Sequence, residues 1–569
     1  MAREVFRTFK RTAMLPIIYE VNDFSVSIYD DRLNLIGDAP GLPEFVGTLD
    51  FALDGIVREF ADEDVLVEGD VVIANHPFFT GAHPADLAVA VPVFLGERII
   101  AFACIRAHMG DMGAKDTYPC DALSMYEEGL LLPPSKLYEA GAPNKLLQRI
   151  IAVNSRLPEE TYGNLLAAGQ ALRGGASRLT AMAKKYGVDA YYAAIDQLLE
   201  QGEREVRAIV SQMRDGTYVH EEYLDDNGID DEPVLMRCAV TIAGSDVTVD
   251  LSGSACEQPG PLNATYPQTV ASCRLALKRV TTQDSMPTNS GEHRPLTVIA
   301  PEGSIFNPRP PAATFLMGTT GGRLTEMLIH AMAASAPERL PAQSGGDVVA
   351  ITGAHIDSTT GRATFFGDSA PIGFGATSAA DGMSALQHPC VAGMDLTPTE
   401  VWETRLAAIK LSSELLVDSG GPGRNRGGLG TRSEWEFLDD VVLSMFGDKT
   451  RVSIPLGLEG GQPAGAVNGI TINPGTPTET RVGKRSNIPI RRGDRVVMVG
   501  GGGGGFGDPL EREPLRVQQD VRDGYVSVES AGHDYAVVLR GVPPTLDADA
   551  TEKLRAARRN EVTGADTSA

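Results

Sequence analysis

Between residues 15 and 110 apolar positions alternate with polar ones or gather in short unbroken runs, as in FSVSIYD, DVVIAN, LAVAVPVF and IIAFACI, with Gly, Pro and Asp between them. That texture predicts β-strands, with a helix over residues 43–60 among them. From 144 to 213 the spacing changes to i, i+3, i+4 with few β-branched runs, which predicts helices broken near Pro158, Gly174–Gly175 and Gly187. The stretch PEET places Pro158 at a first turn with acids beside it, a helix-start signal. Strand signals return after 216 in MRCAVTIAGSDVTVDLSGS. They are followed by helical spacing in TVASCRLALKRV and GRLTEMLIHAMAAS, then by a long Gly- and Pro-rich stretch with strand-like pieces to residue 510. A helix-like tail closes the chain, and about twenty terminal residues read as charged and loosely ordered. Segregated strand and helix runs predict an α+β fold with several lobes. The expected lobes are strand-rich over 1–143, helical over 144–215, mixed α+β over 216–510, and a helical C-terminal tail over 511–569.

A length of 569 residues exceeds what one core usually supports, in keeping with several lobes. Asp and Glu number 75 against 50 Lys and Arg, a net charge of −25, which repels a polyphosphate backbone and argues against nucleic acid as a partner. Six cysteines lie far apart without a Cys-x-x-Cys pair, so neither a disulfide framework nor a thiolate zinc cluster is expected. The N-terminus lacks an uninterrupted apolar segment before a cleavage site, and no run approaches the roughly 18 apolar residues of a membrane span. The expectation is a cytoplasmic protein that neither spans nor binds a membrane.

Residues 75–113 carry His-x-x-Asp twice, as His83 with Asp86 and His108 with Asp111, on either side of a tight hairpin. If Gly96 and Glu97 form a two-residue turn, Leu95 faces Arg98, and regular pairing puts Ala85 opposite His108 and Asp86 opposite Ala107. Both motifs then meet at the open end of the hairpin. Two imidazoles and two carboxylates suit a divalent zinc, manganese or iron. The alternative is that the aspartates cap turns and the histidines bond locally, and spacing alone does not choose between the two. Gly500 to Gly505 satisfy a Gly-x-Gly-x-x-Gly pattern trivially, with no Gly-Lys-Ser/Thr after them, so close backbone packing is favoured over a phosphate cradle. In SGGPGRNRGGLG, Arg424 and Arg426 are candidate anion contacts. His293 and His388 are solitary and receive no role.

The stretches ANHPFFTGAHPADLAVAVPVF, RAHMGDMG and IIYEVNDFSVSIYD resemble the hydantoinase B/oxoprolinase family, as do YEEGLLLPPSKLY, GPLNATYP, IAPEGSIFNPRPPAA, DSGGPGRNRGGLG and GGGGGGFGDPLEREPLRVQQDVRDGYVSVE. That family includes one subunit of ATP-dependent hydantoinases and oxoprolinases and the related subunit of acetone and acetophenone carboxylases. The resemblance implies a metal site at His83, Asp86, His108 and Asp111. It also places Asp23 at an acidic position of the N-terminal strand pattern, where a carboxylate beside a metal-bound water is a candidate general base, the alternative being an Asp at a strand entrance that satisfies backbone N–H groups. It further implies a hetero-oligomer with a hydantoinase A-type subunit that binds ATP and phosphorylates a small-molecule substrate. The implied activity is hydrolysis of a cyclic amide. The alternative on the same scaffold is the corresponding subunit of an ATP-dependent ketone carboxylase.

Overall fold

The computed structural model describes residues 1–62, 64–281, 287–356 and 363–565. Its first lobe is a seven-stranded antiparallel sheet of β1 (Phe24–Asp30), β2 (Leu35–Pro40), β3 (Val71–Ala74), β4 (Asp86–Leu95), β5 (Arg98–His108), β6 (Ser135–Glu139) and β7 (Ala142–Pro143). The spatial order is β2-β1-β5-β4-β3-β6-β7. The nearly continuous apolar run of β4 has a physical cause, because the sheet is covered on both faces and no alternate position has to be polar. Leu87, Val89, Val91 and Val93 join Ala101, Ala103, Ile105 and Ala107 in a core shared with the helices Ala2–Thr12 and Pro158–Tyr186. Ala88, Ala90, Phe102 and Cys104 face the other way, against Leu49, Ala52, Leu53 and Ile56 of the helix Leu49–Glu59.

The β4–β5 hairpin departs from the expected register. Leu95 does face Arg98 across Gly96–Glu97, but a bulge follows, with Phe94 opposite Ile99 and Val93 opposite Ala101, so that Ile100 has no partner. The extra residue shifts all the remaining pairs by one while the ladder continues. Asp86 therefore faces His108, not Ala107.

The helix Pro158–Tyr186 runs unbroken through Gly174–Gly175, where the sequence predicts a break. Gly175 serves a close approach instead, since a Cβ there would lie 2.7 Å from a methyl of Val5 on the N-terminal helix. Glu159 and Glu160 in the first turn and Lys184 and Lys185 in the last complement the helix dipole. The helix Val188–Val210 leads into a four-stranded sheet of Gly216–Leu224, Val234–Ala243, Asp246–Asp250 and Leu296–Ile299. The helices Tyr266–Thr281 and Met317–Ala333 pack on it.

Two further sheets follow. One holds Val349–Ile356, Ala363–Ala370, Val441–Phe446 and Arg485–Ile490. The other holds Ala408–Leu415, Thr431–Phe437, Gly469–Ile472, Thr480–Val482 and Arg495–Gly500. Beyond them the glycine run threads through other extended glycine segments. The N–H groups of Gly501, Gly502, Gly503, Gly504 and Gly505 donate to Asn468 Oδ1 and to the carbonyls of Ala466, Gly428, Gln343 and Gln462. A Cβ on Gly502 or Gly503 would sit 1.8 or 2.1 Å from a carbonyl oxygen. The run is a backbone-packed core, and its amides are already engaged.

The terminal residues expected to be loose form a helix over Ala548–Ala565, with residues 566–569 outside the described set. The helix is tied down by Asp547, which accepts from Ala550 N–H, by Thr551 Oγ1, which accepts from Val538 N–H, and by Arg555, which donates to the Arg512 carbonyl. Among the described residues no helix is long and apolar enough to cross a membrane. The six cysteines are unpaired thiols.

Candidate metal centre

Three strand ends meet at the open end of the hairpin. Phe24 of β1 pairs with Ala107, and the next amide, His108 N–H, donates to the Asp23 carbonyl at 3.1 Å. Before β4 the chain turns so that Asp86 N–H donates to the His83 carbonyl, which brings the i and i+3 side chains together. Asp86 lies between the two imidazoles, Oδ1 at 3.0 Å from His108 Nδ1 and Oδ2 at 3.4 Å from His83 Nε2. Donor atoms of His83, Asp86 and His108 all lie within 4.8 Å of one another. Phe315 stacks on His83 with centroids 4.1 Å apart and planes 12° apart. Buried Glu128 fixes that ring's backbone by accepting from the N–H groups of Thr314 and Phe315 at 2.5 and 2.7 Å.

Burial is the dominant electrostatic influence on the centre. It lowers the pKa of His83 to about 4, so this imidazole is neutral, the form that ligates metals. Burial also disfavours a charged His108, but its hydrogen bond to Asp86 and the charges of Asp23 and Asp86 outweigh that and raise its pKa. Asp86 is held below the ordinary range despite burial, by His83, His108 and the buried Arg106. Arg106 is anchored on Thr48 Oγ1 and the Thr80 and Gly81 carbonyls. Asp23 is pushed up to about 7 by desolvation and the negative charge of Asp86, with His108 as a partial counterweight. Glu44 is raised to about 8 by burial, Asp86 and Asp23, and its side chain takes one long hydrogen bond from Gln268.

Asp111, expected as the fourth ligand, is elsewhere. Its carboxylate accepts from Arg156 Nε at 2.9 Å, from Arg156 Nη2 at 2.6 Å, and from the backbone N–H groups of Arg156 and Gly113. Those four bonds satisfy it and tie the hairpin end to the start of the long helix. Asp23, by contrast, lines the same cavity as the cluster and leaves Oδ1 buried without a partner. His83 Nδ1 is likewise unpartnered. Neutral imidazole, paired carboxylates and these open donor atoms fit a divalent cation.

Arg424 and Arg426 are not near this place. Arg426 is buried, donates to the Gly427 carbonyl and lies over Tyr525, while Arg424 reaches Glu511 at 3.5 Å and lies over Phe506. Arg426 packs within the glycine-rich core and exposed Arg424 lies at its edge.

The cluster forms one end of a cavity of about 220 Å³. Residues that sequence reasoning did not single out complete it, among them Glu44, Tyr118, Phe315, Asp347 and Trp402. So does His388, whose Nδ1 accepts from Cys390 N–H and whose pKa burial lowers to about 4. Glu128 and Phe315 fall in stretches that carry the family resemblance, YEEGLLL and the residues just after FNPRPPAA, but nothing in the sequence shows that they meet at His83.

Residues 1–509 match the model of the family described as hydantoinase B/oxoprolinase. The chain belongs to that family. Across 98% of its length it is 31% identical to a protein of unassigned activity from Methanocaldococcus jannaschii, over 97% of the latter. It is 30% identical to caprolactamase subunit beta of Pseudomonas jessenii, over 98% of this chain and 96% of that one. The crystal structure of the ATP-dependent caprolactamase from Pseudomonas jessenii superposes with a TM-score of 0.88 at 27% identity, covering 98% of this chain and 97% of that one. A nucleotide-free acetone carboxylase shares the fold, with a TM-score of 0.89 at 19% identity over 99% of this chain and 82% of that one. This chain thus shares its mixed, multi-sheet architecture with both of these structures.

Proposed function

We propose that this chain is the metal-holding subunit of an ATP-dependent cyclic-amide hydrolase and works with a separate ATP-binding subunit. The observation that carries the reading is the buried His83–Asp86–His108 cluster in the wall of a cavity that Asp23 also lines. The end-to-end likeness to caprolactamase subunit beta supports the reaction class, and the name subunit beta supports a partner. The fully engaged amides of the Gly501–Gly505 run agree with ATP binding elsewhere.

Cyclic amides resist water because resonance makes the carbonyl carbon a poor electrophile and the nitrogen a poor leaving group. ATP overcomes the first obstacle if the partner transfers a phosphoryl group to the amide oxygen, leaving a carbon that water can attack. His83, Asp86 and His108 would hold a zinc, manganese or iron ion, with Asp23 as the fourth donor in place of Asp111. Such an ion lowers the pKa of a nearby water toward neutrality. The second oxygen of Asp23 accepts the proton that the attacking water loses. Glu44, which keeps its own proton to about pH 8, supplies one to the ring nitrogen as the C–N bond breaks, and the acyl phosphate left behind is hydrolysed by a second water to the carboxylate and inorganic phosphate.

Product analysis of the complex with ATP tests the proposal. Ring-opened amino acid formed in step with ADP, without carbon from labelled bicarbonate in the product, is expected. A β-keto acid formed from a ketone and labelled bicarbonate, with cyclic amides untouched, would overturn it in favour of the carboxylase reading.

A further inference from the structure

Charge along the cavity is one-sided. Among the described residues that line it there is no lysine and no arginine, while Asp86 stands in the cluster as a carboxylate, Asp23 and Glu44 stand beside it with raised pKa values, and Asp347, Asp368 and Asp395 are further acids of the lining. Cationic side chains nearby are committed elsewhere. Lys410 holds Asp368 at 2.9 Å and lies over Trp435, so the far end presents a neutralised pair. Arg106 is anchored on Thr48, Thr80 and Gly81, and Lys449 donates to Gln343. Most of the remaining wall is apolar, with Phe45, Tyr118, Phe315, Phe366, Trp402 and Phe446 around it. Thr352 Oγ1 there is buried without a hydrogen-bond partner, and His388 Nε2 lies 4.0 Å from Glu326 Oε1. His388 accepts through Nδ1, so Nε2 carries the hydrogen and donates.

With no lysine or arginine among the described lining residues, an ion at the centre would balance one anionic group on the reacting oxygen. A second anion on the substrate would be taken out of water beside carboxylates and ring faces with nothing to balance it. An uncharged ring meets no such cost, gains from the aromatic wall, and finds Thr352 Oγ1 for a polar atom.

We propose that the substrate is an uncharged, apolar cyclic amide, such as a lactam or an alkyl- or aryl-substituted hydantoin, and that ring carboxylates of the 5-oxoproline kind are rejected. This rests on the hydrolase reading of the same site. The matched pair 5-oxoprolinamide and 5-oxoproline tests it, because the two rings differ only in a neutral amide against a carboxylate. With the assembled complex and ATP, kcat/KM is expected to favour the amide by about a hundredfold or more. Equal turnover, or preference for 5-oxoproline, would overturn the substrate class while leaving the hydrolase reading standing on its ring-opened product. Calorimetric binding of the same pair to the complex without ATP decides the point even if neither is turned over. Tighter binding of 5-oxoprolinamide supports the inference. Equal binding, tighter binding of 5-oxoproline, or binding of neither overturns it.

Discussion

Asp111 is buried and Asp23 half-buried, and both sit at the hairpin end, Asp111 just after His108 in sequence and Asp23 through the carbonyl that accepts from His108 N–H, yet they do opposite things. Asp111 accepts four hydrogen bonds, three of them from Arg156, and has no free acceptor to offer. Asp23 keeps an oxygen unpartnered against His108 and Asp86. Glu44 shows how such burial reads out in pH. Its carboxyl holds a proton to about 8 when folded, against 4.5 for the exposed group. The folded state therefore binds that proton more tightly than the unfolded chain. The resulting stability is fully present below the unfolded value, erodes as pH rises, and is lost above about 8. Glu44→Gln stays neutral throughout and is close in shape. In chelator-treated protein its Tm is expected to fall less than wild type between about pH 5 and about pH 8.5. A fall of equal size, read by calorimetry, would contradict a protonated Glu44.

Elements place these residues, and the decisive one is the β4–β5 hairpin. Its strands and turn are legible because apolar blocks flank Gly96–Glu97, and both His-x-x-Asp motifs announce themselves. The bulge at Ile100 is not legible, since Ile-Ile-Ala carries no glycine or other mark of an extra residue, and it alone sets Asp86 across from His108. Nor does the sequence show that Gly174–Gly175 continue a helix, because the reason is a neighbour, Val5, distant in the chain. The glycine lattice is half legible: absence of a lysine argues against phosphate, but only the fold shows carbonyls on every side. The two kinds of glycine are expected to respond oppositely to one methyl. Gly502→Ala puts a Cβ 1.8 Å from the Ser419 carbonyl oxygen and should cost at least about 3 kcal/mol or prevent folding. Gly174→Ala, with nothing within 4 Å, should gain up to about 1 kcal/mol through helix propensity. Urea midpoints check both, and a wild-type midpoint for Gly502→Ala would refute the packing described.

At the scale of the whole molecule the cavity is a meeting place. The first sheet contributes its strand ends, the loop at Phe315 a stacking ring, and the strands near Thr352 and Phe366 with the segment from His388 to Trp402 the far wall. Such a lining cannot be read from sequence, because its pieces share no motif and lie hundreds of residues apart. The family, the α+β class and the two His-x-x-Asp motifs were legible; which carboxylate, Asp23 or Asp111, shares the cavity with the histidines was not. That carboxylate is the central claim, and metal content measured by mass spectrometry on wild type, Asp23→Ala, His108→Ala and Asp111→Ala tests it directly, with circular dichroism to confirm folding. The expected result is about one equivalent of zinc, manganese or iron in wild type and in Asp111→Ala, and little or none in His108→Ala and Asp23→Ala. A folded Asp111→Ala protein without metal, beside an Asp23→Ala protein that keeps it, would contradict the account.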